Sequence, residues 1–311
     1  MHSTSSPQGF TLRCRGLSYT KGFTDIISRV DFSAHPGECI AILGPSGAGK
    51  STILKMIAGY YSCSGGAILL NGSKLEDVYE SVKNDLAYVP QDDLVHPSLS
   101  TIEEMTFAAR LRLSPQLGEE EIQNRVSEVL KAVELKDRAH TKIKSLSGGQ
   151  RKRVSMAVEL LANPSLILLD EATSGLDPAL EEKLMNLFRK LANQGKTLVL
   201  TTHVMDSVKL LDYILILKDG RLSFFGPPKV ALSYFEVDGF SEIFKSLGAR
   251  TAREWEELYR SSPLNEKYSK RARPCLETKD DLEPRVPSSS LKSKTRSIEE
   301  ELEQLRREAK K

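Results

Sequence analysis

From Phe10 to about Tyr234, short apolar runs alternate with stretches whose apolar residues recur at helical spacing, the pattern of an α/β domain. The runs that read as strands are Thr11–Tyr19, Cys39–Leu43, Ala67–Leu70, Leu86–Val89, Leu166–Asp170, Thr197–Thr201 and Tyr213–Leu217. A Gly-rich turn separates the second of these from a helix expected over Lys50–Ala58. Between residues 101 and 162 the strand signal lapses. Thr101–Leu113 and Glu119–Glu134 read as amphipathic helices, which makes this stretch a helical insertion in the α/β core. Asp219-Gly220 reads as a hairpin turn. Beyond Tyr234 the pattern weakens to one or two short helices over Phe240–Leu258. A Ser/Pro/Lys/Arg-rich linker is expected over 261–297, and a helix-prone charged segment over Ser297–Lys311.

Composition narrows the function classes. The 311 residues carry 44 Lys+Arg against 42 Asp+Glu, a formal net charge of +2, so no global basic field points to nucleic acid. No apolar run approaches the roughly 20 residues that cross a bilayer as a helix, and the N-terminus has no charged-then-apolar secretory pattern. The four cysteines (Cys14, Cys39, Cys63, Cys275) are scattered without metal-ligand spacing and read as free thiols of a reducing compartment. The excess of Lys and Arg over 270–296 reads as a solvated linker, or as a stretch attracted weakly to anionic lipid headgroups.

The chemistry starts at Gly44-Pro45-Ser46-Gly47-Ala48-Gly49-Lys50-Ser51, followed by Thr52, which fits G-x-x-x-x-G-K-[ST] in the strand–turn–helix setting that motif requires. Glycines let successive backbone N–H groups approach a polyphosphate, and the helix start adds its positive dipole end. Lys50 is expected to reach the β- and γ-phosphates and the Ser51 hydroxyl to ligate Mg²⁺. At the end of a buried-strand run, Asp170 is expected to hold the Mg²⁺ shell and Glu171 to polarise the attacking water. Gln91 and His203 follow two further strands. Gln91 is a neutral amide suited to Mg²⁺ or water, and a neutral His203 imidazole suits a γ-phosphate oxygen.

These residues, with Leu146-Ser147-Gly148-Gly149-Gln150 and Ser174-Gly175-Leu176-Asp177, occur in the order of the ATP-binding cassette (ABC) family, which the chain resembles over about 10–235. The resemblance implies an α/β P-loop NTPase core of ABC type with an antiparallel β subdomain and a helical insertion at about 95–163. It leaves residues 1–9 as a flexible N-terminus, 236–260 as a small helical extension and 261–311 as linker and tail. It also implies ATP and Mg²⁺ as ligands and a head-to-tail dimer. In that dimer Ser147, Gly148, Gly149 and Gln150 of one cassette, with Asp177, complete the ATP site of the other. The Ser147 hydroxyl can cap the helix-like run that starts at Gln150. The family stacks adenine on an aromatic ahead of the phosphate loop, for which Tyr19 is the first candidate and Phe23 a competitor.

Within the family, Tyr88–Asp93, Leu146–Leu161, Asn163–Asp177 and Phe225–Pro228 are most similar to the G ("white") subfamily and its bacterial relatives. That implies an ATPase energising transport, most often export, through a membrane permease on a separate chain or in a longer version of this one, at the cytoplasmic face of the plasma membrane. The alternative is a soluble ABC ATPase acting on ribosome or DNA complexes. Against it stand the single cassette and the lack of sustained heptads.

Overall fold

A hairpin opens the chain: β1 (Leu12–Lys21) and β2 (Thr24–Ala34) pair antiparallel. β2 is absent from the sequence reading, and its irregular backbone says why. Ile27, Val30, Phe32 and Ala34 are its buried apolar residues, and Ser33 is buried beside them. The step from 27 to 30 breaks strict alternation because Arg29 has a left-handed φ of 48°. A bulge of this kind shifts the register by one residue and hides the period-2 pattern. Next come β3 (Cys39–Leu43), α1 (Lys50–Ile57), β4 (Gly65–Leu70), β5 (Ser73–Lys74), α2 (Leu75–Val82) and β6 (Leu86–Val89). The insertion then supplies α3 (Thr101–Arg112), α4 (Glu119–Ala132) and α5 (Gly148–Leu160). The core resumes with β7 (Leu166–Asp170), α6 (Pro178–Asn193), β8 (Thr197–Thr201), β9 (Tyr213–Lys218) and β10 (Arg221–Gly226), and closes with α7 (Pro228–Phe235), α8 (Phe240–Leu247), α9 (Ala252–Ser261) and α10 (Pro263–Lys270). The structure is a computed structural model that describes residues 9–202 and 206–270. The His203 expectation and those for 1–8 and 271–311 lie outside the described residues. Gly9 is anchored by its N–H donating to Gly195 O at 2.9 Å.

The strands form two sheets. An antiparallel one has the order β2-β1-β4-β5, and a six-stranded one the order β10-β9-β3-β8-β7-β6. In the larger sheet only β10 runs antiparallel. Its central strands β3, β7 and β8 are buried at every residue, as a parallel sheet covered on both faces demands. Parallel pairing brings the carboxyl ends of β3, β6, β7 and β8 to one edge, where an α/β sheet gathers its ligands.

The insertion folds as the packed helices α3, α4 and α5. The Ser100 hydroxyl accepts from Glu103 N–H while the Glu103 carboxylate accepts from Ser100 N–H at 2.7 Å, a capping box that fixes the start of α3.

The C-terminal helices correct the sequence reading. Pro263–Lys270, inside the stretch expected as linker from residue 261, form α10. α9 lies on β10. Tyr259 is fully buried and donates to Phe225 O at 2.8 Å, and Trp255 Nε1 donates to Leu247 O at 3.2 Å. Among the described residues no helix is long and apolar enough to cross a membrane.

Candidate nucleotide site

The phosphate loop joins β3 to α1. Gly49 precedes the helix at φ 93°, and a Cβ there would lie 2.4 Å from Ile27 Cδ1. A Cβ on Gly44 would meet Leu217 O at 2.5 Å. Both glycines are therefore fixed by conformation or by close approach. Lys50 turns back over the loop, and its Nζ donates to Gly44 O and Pro45 O, each at 3.0 Å. Burial lowers the Lys50 pKa, while the Glu171 and Asp170 carboxylates act to hold the ammonium charged. A phosphate oxygen is a stronger acceptor than either carbonyl.

Asp170, 1% exposed, is the hub of the site. Its Oδ1 accepts from Ser51 Oγ at 2.9 Å and from Thr201 Oγ1 at 2.8 Å, and its Oδ2 accepts from Tyr88 OH at 3.3 Å. Burial, reinforced by the Asp170 charge, pushes the Tyr88 phenol well above its ordinary pKa, which keeps it a donor. Adjacent residues of an extended strand face opposite sides, so two neighbouring carboxylates reach one site only if the strand turns. It does: Glu171 has φ 50°, and Ser174 N–H closes the turn onto Glu171 O at 3.0 Å. The Glu171 carboxylate accepts from Gln91 Nε2 at 3.2 Å. Phosphate loop, Asp170, Glu171 and Gln91 thus meet at the sheet edge.

A hydroxyl, a carboxylate and a primary amide form an all-oxygen donor set. No group of three or more His, Cys, Asp or Glu that could hold a metal occurs among the described residues. That suits Mg²⁺, which takes one or two protein oxygens and fills its octahedron from phosphates and water.

Ser147 caps α5. Its hydroxyl accepts from Gln150 N–H at 3.3 Å and Ser147 N–H donates to Gln150 Oε1 at 2.9 Å. Ser147 and Gly148 are exposed. Gly149 lies under the loop that follows Glu171, since a Cβ there would come within 2.7 Å of Leu176 Cδ2. Asp177 caps α6 by accepting from Leu180 N–H at 3.0 Å. Tyr19 stacks on Tyr61, centroids 5.1 Å apart and planes 12° apart, so one face of its ring is covered. Phe23, at the tip of the β1–β2 hairpin, is fully exposed.

The model of the ABC transporter family matches residues 27–174, and the ATP-binding cassette MJ0796, solved as a dimer in a post-hydrolysis state bound to ADP and Pi, superposes with a TM-score of 0.64 at 30% identity, over 70% of this chain and 98% of that one. The chain belongs to the ABC transporter family. It is an ATP-hydrolysing cassette of α/β P-loop type. Among curated relatives, the ABC transporter ATP-binding/permease protein Rv1747 of Mycobacterium tuberculosis is 37% identical over 238 residues, which is 76% of this chain and 28% of that protein. The Nod factor export ATP-binding protein I of Cupriavidus pinatubonensis is 33% identical over 218 residues, 70% of this chain and 66% of that protein. Other relatives are G family members of Arabidopsis thaliana and the white protein of Drosophila melanogaster, in agreement with the subfamily resemblance. The cassette spans 28% of Rv1747 and 32% of the white protein.

Sequence reasoning missed Tyr88 and Thr201 as parts of the Asp170 hub. Thr201 ends β8 and Tyr88 lies one residue before the end of β6, and that nearness to the carboxyl edge is the one signal by which they were findable. Tyr88 lies in a stretch that carries the subfamily resemblance, but no role was read for it there.

Proposed function

We propose that the cassette binds MgATP at its phosphate loop and, paired head to tail with a second cassette, hydrolyses it to drive export through a membrane permease. The observation that carries this reading is the 2.9 Å bond between Ser51 Oγ and Asp170 Oδ1, with Glu171 turned to the same edge. The backbone N–H groups between Ser46 and Thr52 bind the polyphosphate, and Lys50 neutralises its β- and γ-oxygens. Ser51, Asp170 and Gln91 would hold Mg²⁺, which when bound supplies charge neutralisation on the phosphate oxygens. Glu171 accepts a proton from water as the water oxygen bonds to the γ-phosphorus. The bond to the β-bridging oxygen breaks, and ADP and phosphate leave. His203 donates to the γ-phosphate. Ser147 and its neighbours up to Gln150, with Asp177, face the nucleotide of the partner cassette, where the start of α5 meets its γ-phosphate. Tyr19 offers its uncovered face to adenine.

The permease side has structural support as well. Leu94, in the loop after Gln91, is 72% exposed, while Phe107 and Leu111, one turn apart on α3, are 50% and 86% exposed. An apolar stripe beside a site-contacting loop suits a membrane protein's cytoplasmic helix. On this reading the cassette works at the cytoplasmic face of the plasma membrane, with residues 10–235 as its ATP-binding unit and 236–260 as a small helical extension.

The test is Glu171→Gln in the full chain. It is expected to bind ATP, dimerise and turn over very slowly, and its pull-down from native membranes with ATP to recover a stoichiometric polytopic membrane protein. Unchanged turnover moves the base elsewhere. Recovery only with ribosomal or DNA-bound partners ends the transport reading.

A further inference from the structure

Thr201 is the last residue of β8 and lies beside Asp170 in the parallel ladder. Between Thr197 and Thr201 the strand is apolar and buried, and the Thr197 hydroxyl is spent outside the site, donating to Phe10 O at 2.6 Å. The Thr201 hydroxyl does something different. It donates to Asp170 Oδ1 at 2.8 Å and accepts from Glu171 N–H at 2.8 Å.

The second bond answers a need that the turn creates. At Glu171 the chain takes up the left-handed conformation, which side-chain-bearing residues rarely adopt. Its N–H there requires an acceptor, because buried backbone donors are paired almost without exception. A valine in the same strand would supply the shape and the β-propensity but no acceptor. The first bond sets how the Asp170 carboxylate is rotated, since Oδ1 receives Thr201 and Ser51 together. One buried oxygen therefore fixes the backbone under one carboxylate and the orientation of the other.

We propose that Thr201 is a positioning residue for ATP hydrolysis, whose hydroxyl holds Glu171 in its turned conformation and Asp170 in register with Ser51. This rests on the roles proposed above for Asp170 and Glu171. Thr201 touches no reacting atom in this scheme and acts through its two neighbours. Thr201 reaches the phosphate loop only through Asp170 and Ser51 among the described hydrogen bonds, so nucleotide affinity without Mg²⁺ is expected to change little in its absence.

The experiment compares Thr201→Val, which keeps the branched shape and removes the hydroxyl, with Thr201→Ser, which keeps the hydroxyl. Both are made in the full chain, with Glu171→Gln alongside. Thr201→Val is expected to lower kcat about 10- to 100-fold, the usual cost of losing an orienting partner. Mg²⁺-free binding of a fluorescent ATP analogue stays unchanged, and hydrogen exchange at the Glu171 amide accelerates. Thr201→Ser is expected to restore most of the rate and the slow exchange. If Thr201→Val does not fold, Thr201→Cys, with its poor hydrogen-bonding thiol, replaces it in the same comparison. The inference is overturned if the hydroxyl-free variant keeps the wild-type kcat, if the Glu171 amide exchanges no faster, or if Thr201→Ser is as slow as Thr201→Val. Full activity in Glu171→Gln would instead overturn the roles proposed for the carboxylates, so the two failures are distinguishable.

Discussion

The amide of Gln91 donates to the carboxylate of Glu171 across 3.2 Å, joining the loop after β6 to the end of β7. That loop runs on through exposed Leu94 to α3, so the contact lies between the hydrolytic edge and the apolar stripe. Gln91→Ala is expected to leave Mg²⁺-free ATP binding intact and to reduce turnover about 5- to 10-fold, the equivalent of roughly 1 to 1.4 kcal/mol for one exposed hydrogen bond to a charged group. Steady-state kinetics beside an equilibrium nucleotide titration checks this. A matching loss of affinity in the absence of Mg²⁺ would give Gln91 a direct role in holding the nucleotide instead.

Lys50→Ala removes the ammonium that lies over the phosphate loop, donating to Gly44 O and Pro45 O. ATP affinity is expected to fall about 10- to 100-fold, since hydrogen bonds between charged groups are each worth roughly 1.5–3 kcal/mol. The loss should be larger for ATP than for AMP, which lacks the β- and γ-phosphates. Calorimetric titration of both nucleotides reads the difference.

Glu256 of α9 has a side chain only 3% exposed, and it accepts from Arg221 of β10 at 2.6 Å and from Arg260 at 3.0 Å. Truncating it to Ala takes the shared buried acceptor away from two partly exposed guanidinium groups. We expect a loss of about 3 kcal/mol and a drop in Tm of roughly 6–10 °C, the scale for one partner of a buried ion pair in a domain of this size. Thermal unfolding followed by circular dichroism measures it. The ATPase rate per folded molecule should be unchanged, because this pair lies on β10, at the far end of the sheet from β6 and β7.

Cys63 sits half-buried between α1 and β4, where burial, followed by the Glu76 charge, raises its pKa from 9.0 to about 11. The shift favours the neutral thiol. At pH 8 the thiolate fraction is then about 100-fold below that of an ordinary thiol, and alkylation should be correspondingly slow. The rate is expected to climb through pH 10 and level off only above pH 11. A pH series of iodoacetamide labelling, in a variant with Cys275 replaced by Ser, reads the profile. A plateau near pH 9 would contradict it.

Much of the nucleotide site was legible in the chain. β3, β6, β7 and β8 have the limits their apolar runs imply, because strands buried on both faces are written as unbroken apolar segments. The phosphate loop was legible because its demands are local: glycines where a Cβ does not fit, then a lysine and a serine on the first helical turn. The antiparallel sheet was only half legible. β2 is bulged at Arg29, and its buried residues fall out of step with any simple period.

The sequence by itself determined which residues are candidates for the chemistry and the order in which the chain presents them. That two adjacent carboxylates, Asp170 and Glu171, share one edge was decided by a left-handed turn at Glu171, and that turn leans on the Thr201 hydroxyl, 30 residues away. The Tyr88 phenol reaches the same carboxylate from a third strand. Parallel pairing of β6, β7 and β8 makes these residues neighbours. Pairing between distant strands is a property of the folded sheet, and no local pattern of apolar and polar residues specifies which hydroxyl will stand beside which acid.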